Sequence, residues 1–206
     1  MKRTLVSLVI GLSLLMGAMN GADAQYYDPS AWNFDRGVRA YESRDFATAL
    51  KEWTASAELG NAIAKNNLGA MYAKGEGVVQ DYKKAARWYR LSALNLDKHG
   101  QYNLSLLLAE GQGIAQDYKE ALRLMRMSAA QGLADAQAAL GVFYAKGHGV
   151  IQDNVLAHMW FNIGGSNGSA KGSKDRDSIA ASMTTAQIAE AQKLARECVA
   201  KNYKGC

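Results

Sequence analysis

A repeat of 36 residues constrains the fold of this chain more than any other feature of its sequence. A Gln-Asp dipeptide starts at Gln80, Gln116 and Gln152, and a Gly-x-Gly triplet precedes each dipeptide at constant spacing. Units of this kind cannot bury their apolar faces alone, so they stack on one another in a solenoid. Further columns with the same period are Leu68, Leu104, Leu140, then Ala85, Ala121, Ala157, then Ala57, Ala93, Ala129.

Each unit contains two stripes of apolar and small residues with helical spacing. Asp81 is a good N-cap, and Ala85 and Tyr89 follow on one helical face. The other stripe, from 62 to 72, ends at a Gly-x-Gly triplet, and a helix end commonly requires a left-handed glycine. With 49% hydrophobic and 21% charged residues, the chain is too apolar to be disordered. The sequence predicts an all-α fold, an α/α solenoid of about four helix pairs.

The columns resemble the Sel1-like repeat family, a branch of the tetratricopeptide-like solenoids. The pattern A-x-x-x-L-G-x-x-Y-x-x-G-x-G-V-x-Q-D-Y-x-x-A-x-x-W-Y covers residues 64–89 almost without departure, and it recurs over 101–125 and 136–161. An N-terminal hairpin without the Gly-x-Gly loop resembles an ordinary tetratricopeptide turn. The resemblance implies repeats at about 61–96, 97–132 and 133–168, a partial first unit at 31–60, and one solenoid domain over 25–170.

The middle repeat departs from the pattern. Ser105 replaces the glycine and Leu108 replaces the tyrosine, and the turn at residues 95–97 lacks glycine. We expect looser or tilted stacking in this repeat.

The C-terminal residues 171–206 are predicted to cap the solenoid, because terminal units of such arrays are atypical. Residues 164–173 are rich in Gly and Ser and predict a flexible loop, with a short helix over 174–182 after it. Thr184 and Gln187 form a capping box at the start of a final helix over 186–201.

The first 24 residues have the features of a secretory signal peptide. Lys2 and Arg3 precede an apolar run over 5–16, and residues 22–24 give the A-x-A pattern of a cleavage site. The run is shorter than the roughly 20 apolar residues that a bilayer span needs. We therefore expect cleavage after Ala24, a periplasmic or secreted location, and no membrane span in the mature chain.

Cys198 and Cys206 are the only two cysteines in the sequence. In an exported protein, two cysteines eight residues apart predict a structural disulfide rather than reactive thiols. Two cysteines without a nearby histidine are a poor metal site. We expect neither a metal nor a cofactor.

One short motif resembles a catalytic site. Residues 164–168 match G-x-S-x-G, and His158 lies nearby, but a hydrolase elbow needs a strand before its serine and this segment follows a helical stripe. The three histidines have no metal-binding spacing, and no S-x-x-K motif occurs. The sequence therefore predicts a protein that is not an enzyme. Some secreted Sel1-like relatives act on β-lactams, so an envelope hydrolase acting on β-lactam or peptidoglycan is the alternative.

The expected function is partner binding on the curved face of the solenoid. The formal net charge of +5 is modest, and nucleic acid is not an expected partner of an exported protein. The resemblance implies that the first helix of each pair lines the concave side, and that the protein is an exported scaffold, monomeric by itself, for a protein or peptide of the cell envelope or of a host. The residues predicted to face this groove are Phe34, Tyr41, Asn66, Lys74, Tyr102, Asn103, Glu110 and Lys146.

Overall fold

A computed structural model describes residues 28–206, and the described part of the chain consists of α-helices joined by short turns, with no strand. The predicted all-α solenoid is confirmed. The predicted signal peptide lies outside the described residues. The helices are α1 (Pro29–Glu42), α2 (Phe46–Glu58), α3 (Ala62–Lys74), α4 (Tyr82–Leu94), α5 (Lys98–Glu110), α6 (Tyr118–Ala130), α7 (Ala134–Lys146), α8 (Asn154–Ser166), α9 (Ala170–Ala180) and α10 (Thr185–Ala200).

Successive helices pair as antiparallel hairpins, α1 with α2, α3 with α4, α5 with α6 and α7 with α8. Helix α3 packs against α5, and α7 packs against α9, whereas the second helices α2, α4, α6 and α8 have no comparable contact with one another. The solenoid therefore curves toward its first helices. Helices α9 and α10 both pack against α8 and cover the C-terminal end of the stack. Between residues 28 and 206, no helix combines the length and the apolar character needed to cross a bilayer.

The repeated Gln-Asp-Tyr segment braces the loop between the two helices of a pair. The Asp81 carboxylate accepts a hydrogen bond from the Lys84 backbone N–H, and so caps α4. The Gln80 side-chain amide donates to the Ala73 carbonyl, at 2.8 Å, and to the Tyr82 hydroxyl, at 3.1 Å. Gln116 makes the same two bonds one repeat later. The Gln-Asp-Tyr column thus recurs because its side chains bond to backbone groups at the end of one helix and at the start of the next.

The second glycine of each Gly-x-Gly triplet is required by both its conformation and its surroundings. Gly113 has a φ of 67°, in the left-handed region. A Cβ atom on Gly113 would lie 2.3 Å from the Tyr82 backbone carbon of the preceding repeat. Each loop therefore rests directly on the second helix of the pair before it, which sets the stacking distance.

Glycines inside the first helices make room for aromatic rings of the second helices. A Cβ on Gly69 would lie 2.5 Å from the Tyr89 ring, and one on Gly141 would lie 2.4 Å from the Phe161 ring. In the middle repeat the corresponding residue is Ser105, and it contacts Met125 instead of an aromatic ring. Ser105 and Met125 are both fully buried, so the looser stacking that we expected in this repeat is absent at this contact.

The segment predicted as a flexible loop, residues 164–173, is mostly helical, and this expectation was wrong. Helix α8 continues to Ser166, and α9 begins at Ala170, earlier than the predicted start at 174. A Cβ on Gly164 would lie 2.7 Å from the Ala138 backbone nitrogen, and one on Gly172 would lie 2.8 Å from the Gly165 nitrogen. These glycines allow α7, α8 and α9 to approach closely. Their role is packing rather than flexibility.

The C-terminal end of the chain folds back onto the stack. The predicted capping box of Thr184 and Gln187 is present at the start of α10. Cys198 and Cys206 form the predicted disulfide, which ties the last residues to the buried face of α10. Tyr203, inside this closed loop, accepts a hydrogen bond from the Asn167 side-chain amide at 2.9 Å.

Candidate partner-binding groove

A cavity of about 600 Å³ lies on the inner face of the solenoid, between α5 and α7. Its floor is apolar, and Leu106, Val142 and Phe143 form much of it. Charged side chains stand at its rim. The lining residues are Tyr102, Leu106, Ala109, Glu110, Gln116, Tyr118, Asp135, Ala138, Ala139, Val142, Phe143, Lys146, His148, Ser169 and Lys171.

The cavity exists because the two first helices differ at equivalent positions. Helix α5 carries Tyr102 and Asn103, whereas α7 carries Ala138 and Ala139 one period of 36 residues later. Asn103 reaches across to Asn66 between α3 and α5, whereas the smaller Ala139 lines the open space between α5 and α7. Burial raises the pKa of the Tyr102 phenol, and the nearby carboxylates of Asp135 and Glu110 raise it further.

The rim of the cavity carries opposite charges on neighbouring helices. Glu110 is the last residue of α5, and Lys146 is the last residue of α7, and both are exposed. Neither forms an ion pair within residues 28–206. At the other end, the Asp135 carboxylate accepts a hydrogen bond from the Ser169 hydroxyl at 2.9 Å. A ligand can therefore meet both a free carboxylate and a free ammonium group at one end.

An aromatic cluster with a histidine closes the end of the cavity near the Gly-x-Gly loops. The His148 ring stacks on Tyr118 with 4.3 Å between ring centroids, and it meets the edge of Phe143 at 5.7 Å. Burial, together with the neighbouring Lys146 ammonium, lowers the pKa of His148. This shift favours the neutral imidazole, which offers a flat, weakly polar surface.

A second cavity, of about 380 Å³, lies on the same inner face near the N-terminus, and Tyr41 and Lys74 line it. The Tyr41 hydroxyl donates to a Glu76 carboxylate oxygen at 2.7 Å, and the Lys74 ammonium lies 3.9 Å from the same oxygen. The hydrogen bond to Glu76 is the main reason why the pKa of Tyr41 is raised. These polar groups already satisfy one another.

The remaining predicted groove residues are engaged within the fold. The Asn103 amide donates to the Asn66 side-chain oxygen at 2.8 Å and links α5 to α3. Phe34 packs against the N-terminal core, and its backbone carbonyl accepts a hydrogen bond from the Trp53 indole at 3.2 Å. Of the predicted groove residues, the structure thus brings Tyr102, Glu110 and Lys146 together in the larger cavity.

The repeat register found in the sequence is also what a family model recognises. The model of the Sel1 repeat matches residues 62–95, 98–133 and 134–169, which together make up just over half of the chain. This chain belongs to the Sel1 repeat family. Sel1 repeats are typically scaffolds that mediate protein–protein interactions.

Two solved structures resemble this Sel1 repeat protein. One is a protective antigen present in uropathogenic Escherichia coli strains and displaying an SLR fold, with 33% identity and a TM-score of 0.71, over 76% of this chain and 34% of that one. The other is a Sel1 repeat protein from Oxalobacter formigenes, with 27% identity and a TM-score of 0.66, over 86% of this chain and 78% of that one. The chain thus spans about a third of the length of the Escherichia coli protein. No curated protein sequence matches it.

The sequence analysis of this Sel1 repeat protein missed several residues that line the cavity between α5 and α7, chiefly Asp135, His148 and Lys171. A usable signal was present, because Asp135 and Lys171 are one period apart and occupy the same position at the start of α7 and α9. The error about residues 164–173 concealed α9, and with it Lys171. No sequence signal marked His148 as a residue of this cavity, because the ring on which it stacks, Tyr118, belongs to the preceding repeat.

The motif that resembles a hydrolase site has none of the required geometry. Ser166 is the last residue of helix α8 and does not lie in a turn that follows a strand. His158 is buried, and burial is the main reason why its pKa is lowered. Its Nδ1 atom has no hydrogen-bond partner in the structure. Within residues 28–206 there is also no cluster of His, Cys, Asp and Glu that could hold a metal ion.

Proposed function

We propose that this Sel1 repeat protein is a non-catalytic scaffold that binds an extended segment of a partner protein on the inner face of the solenoid. The observation that supports this most directly is the cavity between α5 and α7, which combines an apolar floor with a free carboxylate and a free ammonium group. An apolar side chain of the partner fills the cavity, and its flanking polar groups meet Glu110 and Lys146.

The protein acts in the cell envelope or outside the cell, as a monomer by itself. The disulfide between Cys198 and Cys206 favours an oxidising compartment. The N-terminal segment with its A-x-A pattern favours export. Expression of the full chain followed by fractionation and intact-mass measurement tests this. We expect a product that starts at Gln25 and has no free thiol, and a cytoplasmic product with reduced cysteines would contradict it.

The groove is tested by filling it. Ala139→Trp places a large ring in the cavity, and Lys146→Glu reverses the charge at its rim. Immobilised variants are exposed to envelope extract, and the captured proteins are identified by mass spectrometry. Ala47→Trp is the matched control, because Ala47 is exposed on α2, away from the cavity.

We expect at least one protein to be captured by the parent chain and by Ala47→Trp, and lost with Ala139→Trp. Lys146→Glu should weaken its capture. A partner that both tryptophan variants retain equally would exclude the α5–α7 cavity as its binding site. Circular dichroism of each variant confirms that the helices remain intact.

A further inference from the structure

The outer side of the solenoid carries a basic surface on α4 and α6. These two helices contain seven basic residues and a single acidic one, Glu120. All seven are exposed. The Arg123 guanidinium holds Glu120 through two hydrogen bonds of 2.7 Å, so this carboxylate already has a partner. The basic residues are Lys83, Lys84, Arg87, Arg90, Lys119, Arg123 and Arg126.

Exposed leucines continue this surface at the C-terminal end of α4. Leu91, Leu94 and Leu96 expose 44%, 72% and 65% of their surface. Arg87, Leu91 and Leu94 lie three or four residues apart and therefore share one side of α4. Below we call the seven basic residues and these three leucines the outer face.

Leu96 has a conformation that folding alone does not favour. Its φ is 61°, in the left-handed region, where a side chain other than glycine is strained. The other three turns between successive helix pairs use Gly60, Gly132 and Gly168, at φ values of 103°, 79° and 109°. Because Leu96 is exposed as well as strained, the fold gains little from its side chain. The exposed aliphatic side chain is therefore available to an external apolar ligand.

The leucines and the arginines meet in a shallow groove of about 290 Å³ between α4 and α6. Leu94, Leu96 and Met127 supply apolar surface, and Arg90 supplies a guanidinium group. Glu120 also lines the groove, and it is held by Arg123. Guanidinium groups bind phosphate oxygens with two parallel hydrogen bonds, and aliphatic side chains insert among acyl chains. The combination fits a molecule that has a phosphate group above an apolar tail.

We propose that the outer face docks on the surface of a bilayer that contains anionic phospholipids. The basic residues attract the anionic headgroups, and Leu94 and Leu96 enter the boundary between headgroups and acyl chains. A second copy of the chain is disfavoured in the symmetric arrangement, because it would place seven basic residues against seven others. Single-stranded nucleic acid is usually bound with exposed aromatic rings, whereas the exposed apolar side chains here are aliphatic. The outer face lies opposite the inner groove, so a bound scaffold would keep that groove accessible.

Co-sedimentation with vesicles tests this proposal. The chain lacking residues 1–24 is mixed with vesicles of phosphatidylcholine alone, or of phosphatidylcholine with phosphatidylglycerol. We expect binding only to the vesicles with phosphatidylglycerol, and we expect added salt to weaken it because salt screens the headgroup charge. No binding to either vesicle would overturn the proposal.

Two variant pairs separate the apolar contribution from the charged one. Leu94→Ser with Leu96→Gly should weaken vesicle binding about tenfold or more, and Arg87→Glu with Arg90→Glu should do the same. Leu96→Gly places glycine where the other turns have it, and Leu94 is exposed, so neither change removes a buried contact. Circular dichroism of the pair confirms that its helices remain intact. Val79→Ser with Ile151→Ser is the matched control, because these residues are 89% and 88% exposed on the opposite edge of the stack.

The control pair should bind vesicles like the parent chain. If it loses binding as strongly as the leucine pair, binding reflects general surface hydrophobicity and the proposal fails. If the leucine pair keeps full affinity, the outer face does not enter the bilayer. Binding to heparin without binding to vesicles would assign the outer face to an acidic polymer instead.

Discussion

The middle repeat and its two neighbours fill the same space with different side chains. In the neighbouring repeats a glycine of the first helix lies against an aromatic ring of the second, Gly69 against Tyr89 and Gly141 against Phe161. In the middle repeat Ser105 lies opposite Met125. The added hydroxymethyl group on one side is matched by an unbranched, adaptable side chain on the other. The residue of the first helix and the residue opposite it on the second helix therefore have to be considered as a pair.

We expect the largest effect when a Cβ atom is added to the first helix of the last repeat while the aromatic ring opposite it is kept. Gly141→Ala places a Cβ 2.4 Å from the Phe161 ring. Overpacking costs about 3 kcal/mol and the higher helix propensity of alanine returns about 1 kcal/mol, so we expect a net loss of about 2 kcal/mol. Chemical denaturation measures it. Ser105→Ala is the control, since a Cβ is already present there, and it should cost less than about 1 kcal/mol.

The converse change should disturb the middle repeat somewhat less. Met125→Phe introduces the neighbouring repeat's ring opposite Ser105, and we expect a loss of about 1.5 kcal/mol from overpacking. Adding Ser105→Gly should recover about 1 kcal/mol of it, because the two residues are in contact. The free energies of unfolding of both single variants and the double variant form a complete cycle. Simple additivity would refute the pairing.

The turns extend the comparison, since the turn before the middle repeat has Leu96 where the next has Gly132. Gly132→Leu should cost about 1 kcal/mol, because a leucine is strained in the left-handed region. The new Cβ itself would not clash, since the nearest atom is 3.8 Å away. Leu96→Gly should gain about 0.5 kcal/mol, since relief of strain is partly offset by the greater entropy of the unfolded chain. Thermal denaturation of both variants should give Tm shifts of opposite sign.

The smallest effect concerns pH. His158 in the last repeat occupies the position of Leu122 in the middle one, and both are buried. Burial lowers the pKa of His158 from its ordinary value of 6.5, so the unfolded state binds the proton more readily than the folded state. Below pH 6.5 protonation therefore favours unfolding, and the loss of stability grows until the pH passes the folded-state pKa.

His158→Leu copies the middle repeat and removes this titration. We expect its Tm to depend less on pH than the Tm of the parent chain, when both are measured at neutral and at mildly acidic pH. His99→Leu is the control, because His99 is exposed. An unchanged pH dependence in His158→Leu would exclude this histidine as its source.

The candidate groove was predictable only in part. Tyr102, Glu110 and Lys146 follow from the repeat register and the expected curvature, and the structure brings them together. Asn66 has the same repeat position as Tyr102, but its side chain bonds to Asn103 instead of lining the larger cavity. Their pairing depends on the distance between α3 and α5, which no spacing along the chain specifies.

The helix pairs, their period and caps such as Asp81 could be predicted from the sequence alone, because capping and helix termination act over a few neighbouring residues. The sequence also determined the disulfide, since only two cysteines are available. The tertiary structure alone decided that Gly164 and Gly172 hold helices together instead of loosening a loop. Only the tertiary structure showed that Ala139 lines an open cavity. Both outcomes depend on which atoms of distant repeats come within a few ångströms, and a one-dimensional pattern carries no such distance.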